Sequence, residues 1–240
     1  MSFRTLNQTE KKSLNPAQKF LEWKSNDKCF SYYDKEKKEN IKVELPIKIQ
    51  FLEEFHTIKG FSDKFQNGIY SNEIKFTSKD ELTVKVYGQN QIVAEGLYND
   101  IRLKIIDAGG KYHKSIYCLL DGEIVNISLK GSGVSIFSLF ANGDKKTKLE
   151  GHSGKFESHF IEINEAEELK KGATKYSVPI FSIGKPYTKT ELQQAIDAYV
   201  NIAEYYNKYT GNDLSTESEV NNYEVKDAEE VETGEDGLEF

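Results

Sequence analysis

Apolar and polar residues alternate with a period of two through most of this chain. Val43, Leu45, Ile47, Ile49 and Phe51 are separated by polar partners, which predicts a half-buried strand. Pro46 inside that run removes one ladder donor, so an edge or a bulge is expected there. The same pattern predicts strands over 69–76, 82–87, 101–106, 115–120, 124–129, 134–140, 156–163 and 176–181. Turn signals separate several of them: Ala108-Gly109-Gly110, Asp121-Gly122, Gly131-Ser132-Gly133 and Asn142-Gly143-Asp144. Asp121-Gly122 between two apolar runs is a tight hairpin signal. About nine strands at this spacing predict a mainly β fold, a barrel or a sandwich, with few helices.

The helical signals are fewer. Asn15-Pro16 reads as a cap and a first helical residue, so a short helix through Phe20, Leu21 and Trp23 is expected. Residues 28–40, crowded with Lys and Tyr, predict a hairpin or loop. The segment 165–171 predicts a short helical turn between strands. One strong helix spans 188–210. Thr188 and Glu191 form a capping box, and Leu192, Ala195, Ile196, Tyr199, Ile202, Ala203 and Tyr206 follow at helical spacing. Gly211 is a natural stop. Residues 1–14 are polar and read as an arm.

Beyond Gly211 the periodicity ends. Residues 211–240 hold eleven acidic side chains and one base, Lys226, a net of −10. So little apolar surface cannot offset the ordering entropy, and a disordered tail is expected. This changes the meaning of the overall charge. The chain as a whole carries −7, which argues against nucleic acid, but residues 1–210 taken alone carry +3. A mildly basic body beside an acidic tail suggests a nucleic-acid surface joined to an interaction segment.

Cysteine usage adds little. Cys29 and Cys118 are far apart and form no paired motif, so neither a zinc site nor a disulfide framework is expected, and a reducing, cytoplasmic setting is the plain reading. Cys118 lies in an apolar strand and reads as core, whereas Cys29 reads as exposed. No run of 18 apolar residues and no apolar leader is present, so no membrane span and no signal peptide are expected.

Phe and Tyr occur 14 times each, so these rings must either fill a core or stack on something. Many sit beside lysines: Trp23, Tyr32 and Tyr33 with Lys35, Lys59 with Phe61, Lys85 with Tyr87, and Lys111-Tyr112-His113-Lys114. Single-stranded nucleic acid calls for this combination. Lysine neutralises phosphates, and an aromatic face stacks on any base at about 1–3 kcal/mol per base. The DNA-contacting candidates are therefore Trp23, Tyr32, Tyr33, Lys35, Lys59, Phe61, Tyr87, Lys111, Tyr112 and Lys114. For any single pair, the plainer reading is a strand ring beside a surface lysine.

Catalytic signals are weak. Gly131-Ser132-Gly133 lacks the lysine and spacing of a phosphate-binding loop. His152 and His159 are seven residues apart, which suits neither strand-face nor helix-face ligation, and His56 and His113 stand alone. No cofactor, metal site or enzymatic activity is expected.

A β-rich basic body, an acidic tail and a terminal Glu239-Phe240 resemble the single-stranded-DNA-binding proteins of bacteria and their phages. The run 175–181 followed by the capped helix is similar to the closing part of phage-encoded members. The tail of this chain ends Leu238-Glu239-Phe240, where the bacterial proteins end in Pro-Phe. The resemblance implies an OB-fold-like, enlarged antiparallel barrel over 15–210. It implies a role in DNA replication, recombination or repair in the (host) cytoplasm, with self-association left open. It also implies that Asp236, Leu238, Glu239 and Phe240 form a tip that recruits partner proteins. The alternative from the residues alone is a structural or protein-interaction β protein, such as a virion component or an anti-host factor.

Overall fold

The computed structural model describes residues 15–89 and 91–210, so the arm and the tail, with Asp236, Leu238, Glu239 and Phe240, lie outside the described residues. The strands are β1 (Lys19–Lys24), β2 (Cys29–Asp34), β3 (Glu39–Val43), β4 (Ile47–Ser62), β5 (Asn67–Ser71), β6 (Leu82–Val86) and β7 (Ile92–Gly96). Helix α1 (Tyr98–Asp107) leads into β8 (Gly110–Leu120) and β9 (Glu123–Lys130). Helix α2 (Ser132–Asn142), the hairpin β10 (His159–Lys171) with β11 (Thr174–Pro186), and helix α3 (Lys189–Thr210) complete the described chain.

The strands form one sheet in the order β3-β2-β1-β9-β8-β4-β5-β6-β7. The β10–β11 hairpin attaches to the start of β4, where Ile161 and Ile163 face Ile49 and Ile47. Strand β4 is long enough to serve three partners in turn, β10, β8 and β5. Two features depart from the expected antiparallel barrel. The sheet path is open, ending on β3 and β7, and β1 pairs with β9 in parallel. Among the described residues the fold is thus mainly β, with an open mixed sheet and three α-helices, the last of them long.

Several elements differ from the sequence expectation for identifiable reasons. The alternating run at 101–106 is helical, within α1, because Ile101 and Ile105 also satisfy a four-residue spacing and are the two that bury. The run at 134–140 is likewise helical, and Phe137, Phe140 and Ala141 form its buried stripe. The helix expected after Asn15-Pro16 is strand β1. Asn15 Oδ1 accepts the Ala17 N–H at 2.9 Å, and this local turn opens into a strand held on both sides by β9 and β2. Residues 165–171 continue β10 along its mate β11 and make no helical turn. Strand β7 carries too short an apolar signal to be predicted.

Other expectations match. Asp121 and Gly122 both take positive φ, 52° and 82°, as a two-residue hairpin turn between β8 and β9 requires. The capping box closes reciprocally: Thr188 N–H donates to Glu191 Oε2 at 2.8 Å, and Glu191 N–H donates to Thr188 Oγ1 at 3.3 Å. Cys118 is buried, but so is Cys29, which corrects its expected exposure. Among the described residues no helix is long and apolar enough to cross a membrane.

The core is divided between the two faces of the sheet. On one face α2 packs Phe137 and Phe140 over Leu21, Phe30, Ile116, Cys118 and Ile127. Further along that face α1 packs Ile101 and Ile105 over Ile58, Ile69, Val84 and Val86. On the opposite face α3 places Ala195, Ala198, Ile202 and Tyr205 against Leu52, Phe55, Tyr117 and Leu119. Helix α3 therefore covers the beginning of β4 and the end of β8. Among the described residues, no helix lies on the remainder of that face, across the end of β4, the start of β8, and β5 and β6.

Candidate nucleic-acid interface

The strand registers determine what this uncovered face displays. Lys111 on β8 lies opposite Lys59 on β4, Lys59 opposite Tyr70 on β5, and Tyr70 opposite Lys85 on β6. Two residues further along the strands, Phe61 on β4 lies opposite Gly68, and the Tyr87 N–H donates to the Gly68 carbonyl at 2.8 Å. Phe61, Tyr70 and Tyr87 are 57%, 42% and 69% exposed, although they sit on adjacent strands of a well-paired sheet. The rings of Tyr70 and Tyr87 meet edge to face with centroids 6.0 Å apart. Exposed large rings side by side on a sheet make a contact surface rather than a scatter of single apolar residues.

Local backbone geometry fixes the position of Phe61. The chain leaving α1 re-enters the sheet through Gly109, at φ 84°, hard against the β4 backbone. A Cβ on Gly109 would stand 2.1 Å from the Phe61 carbonyl oxygen, so only glycine fits this crossing.

Lys59 and Lys111 carry like charges at directly opposite positions of β4 and β8. Like charges directly opposite in a sheet destabilise it. Lys59 is half-buried, donates to Ser128 Oγ at 3.1 Å, and has its pKa lowered by burial, against the pull of Glu73 and Glu22. His113, buried beside it, shares the same Ser128 hydroxyl at 2.9 Å through Nδ1. Burial, then the charges of Lys59 and Lys130, hold the His113 pKa down to about 4. Burial is the larger cause, and the lysine charges add to it.

A polar seam divides the open face from the part under α3. Ser115 Oγ donates to Glu73 Oε1 at 2.6 Å, and Tyr117 OH donates to Glu73 Oε2 at 2.8 Å. Asn126 Nδ2 donates to Ser115 Oγ at 2.6 Å. Burial raises the Glu73 pKa, against the hydrogen bonds from Ser115 and Tyr117 and the charge of Lys59. Where the β1–β9 pairing ends at Glu22 and Ser128, a cleft of about 160 Å³ opens between the strands, with His113 and Lys130 on its wall.

Of the ten residues singled out from sequence, the structure brings Lys59, Phe61, Tyr87 and Lys111 together. Four others belong elsewhere. Trp23 packs on the α2 core, edge to face with Phe30, and its indole N–H donates to the Ser177 carbonyl at 2.8 Å. Tyr32 shares the phase of buried Phe30, and its half-buried ring lies beneath the Lys19 ammonium at 5.5 Å. Tyr112 faces α1, stacks on His56, lies tilted against Tyr98, and hydrogen-bonds His56 Nδ1. Lys114 is buried on the same side, paired with Glu54 at 2.8 Å and 5.5 Å from the Phe137 ring centre. Tyr33 and Lys35 are exposed, but on β2 and its turn, towards the far edge of the sheet.

Sequence reasoning missed Tyr70 and Lys130. Their phase was the available signal: buried Ile69 and Leu129 place their neighbours on the opposite face. The fold and this face together define a mainly β protein presenting an uncovered cationic and aromatic sheet surface. No family model, curated protein or solved structure matches the chain.

Proposed function

We propose that this protein binds single-stranded DNA through the open face of its sheet, without sequence preference and without catalysis. One observation carries the reading: the row Lys111–Lys59–Tyr70–Lys85 across four adjacent strands, with Phe61 and Tyr87 exposed beside it. Lysines at this spacing meet a polyanionic backbone, and the rings stack on unpaired bases whatever their sequence. An enlarged OB-type arrangement belongs to the same proposal, as does service in DNA replication, recombination or repair with the acidic tail engaging partner proteins.

Titration of a fluorescent oligo-dT by anisotropy at several salt concentrations tests the reading. Binding is expected at low salt, with log K falling by about 0.7 per phosphate contacted for each unit of log salt. No binding at low salt, or a preference for duplex, overturns it.

A second reading, a protein-interaction β protein, draws on α3. Leu192, Ile196, Tyr199 and Val200 form an exposed apolar stripe beside the stripe that packs on the sheet. That reading predicts association of the full chain with no uptake of oligo-dT.

A further inference from the structure

The two most exposed rings of the open face are separated by a residue with no side chain. Phe61 and Tyr87 are level with each other across Gly68, one strand to either side. Two inter-strand steps set their backbones roughly 9.5 Å apart. A flat ring held between two others needs about 3.5 Å of contact distance on each side, roughly 7 Å between the outer planes. A base fits between them when the two side chains lean inward by the remaining roughly 2.5 Å. Any larger residue at position 68 would fill the space between them.

We infer that Phe61, Gly68 and Tyr87 form a slot that receives one unstacked nucleobase between the two rings. The inference rests on the single-stranded-DNA reading and names the subsite within it. Tyr70 braces one wall through its edge-to-face contact with Tyr87. The floor carries no specificity group. The Gly68 N–H is taken by Asn67 Oδ1 at 2.8 Å, and its carbonyl by Tyr87 N–H. With its polar atoms occupied, the slot accepts a base by its faces and reads none of its edges. Lys85 lies two residues along its strand from Tyr87, about 6.8 Å away, so a phosphate flanking the trapped base falls within its reach.

The test uses the full chain, a dT oligomer, and the same oligomer with one 2-aminopurine. Gly68→Leu fills the slot and leaves both rings in place. A Cβ at position 68 meets Tyr87 Cβ at 3.7 Å and the Gly60 carbonyl oxygen at 3.8 Å, ordinary contacts that leave the strand undisturbed. Binding by Gly68→Leu should fall roughly 5- to 150-fold, the equivalent of one lost stacked base, with quenching of the 2-aminopurine reduced. Phe61→Leu and Tyr87→Leu, both exposed substitutions, supply a cycle that does not depend on folding at position 68. A sandwich requires both rings, so the double variant should lose much less than the product of the two single losses. If the wild type binds dT, but Gly68→Leu binds equally well or the two ring losses multiply, the slot is wrong and the binding reading survives. If the wild type fails to bind dT at low salt, both are wrong.

Discussion

His113 is the residue whose burial beside Lys59 and Lys130 gives the fold a pH dependence. In the unfolded chain it takes a proton near pH 6.5, and in the folded protein only near pH 4. Between these values the unfolded state binds more protons. The corresponding stability is complete above about pH 6.5 and is lost as the pH falls toward 4. The full effect is about 3 kcal/mol, at roughly 1.4 kcal/mol per pKa unit. Glu73 works in the opposite direction. Burial raises its pKa, so its contribution is present at low pH and lost as the pH rises through the raised value. His113→Gln should therefore flatten the wild-type dependence of unfolding free energy on pH between 6.5 and 4. An unchanged slope would mean that another group governs acid lability. None of this was legible in the sequence, where His113 was one member of a Lys-Tyr-His-Lys run. Burial and the approach of Lys59 and Lys130 arise only when β4, β8 and β9 pair.

The pairing of elements turns scattered lysines into a row. Lys59 and Lys111 are 52 positions apart and become direct neighbours because β4 and β8 share one long antiparallel register. Lys111→Glu places a carboxylate directly across from Lys59, a change of about 0.2–1 kcal/mol. It should raise the thermal midpoint slightly while weakening oligo-dT binding and lowering its salt slope. A lower midpoint, or undiminished binding, would count against the row as a DNA contact. Element type was legible where one period dominates, as in β6, β8, β9 and α3. It was not legible for α1 and α2. Six or seven apolar-rich residues fit both periods, and the choice falls to whichever face the neighbouring sheet leaves uncovered. The outcome at 134–140 matters to the core: as a helix, Phe137 and Phe140 lie on one side and pack against Phe156 and Phe181, Phe140 stacking on both and Phe137 meeting Phe181 edge to face.

At the scale of the whole molecule, the charge is divided between a body at +3 and residues 211–240 at −10. Removing the latter takes away a competing polyanion. The 1–210 truncation should bind oligo-dT at least as tightly as the full chain, most visibly at low salt, where screening is weakest. Weaker binding by the truncation would mean that residues 211–240 contribute to DNA contact.

The sequence by itself determined the mainly β character, the long capped helix, the hairpin at Asp121-Gly122 and the division of charge. Each of these depends on local chemistry: alternation, a reciprocal cap, positive φ, composition. Tertiary structure alone decided which aromatics are core and which are surface. Trp23, Tyr112 and Lys114 share the composition of Phe61, Tyr87 and Lys111, and they differ only in strand phase and in which face a helix covers. That difference is non-local. It depends on α1 and α2 lying on one side of the sheet and on α3 stopping short of the open end on the other.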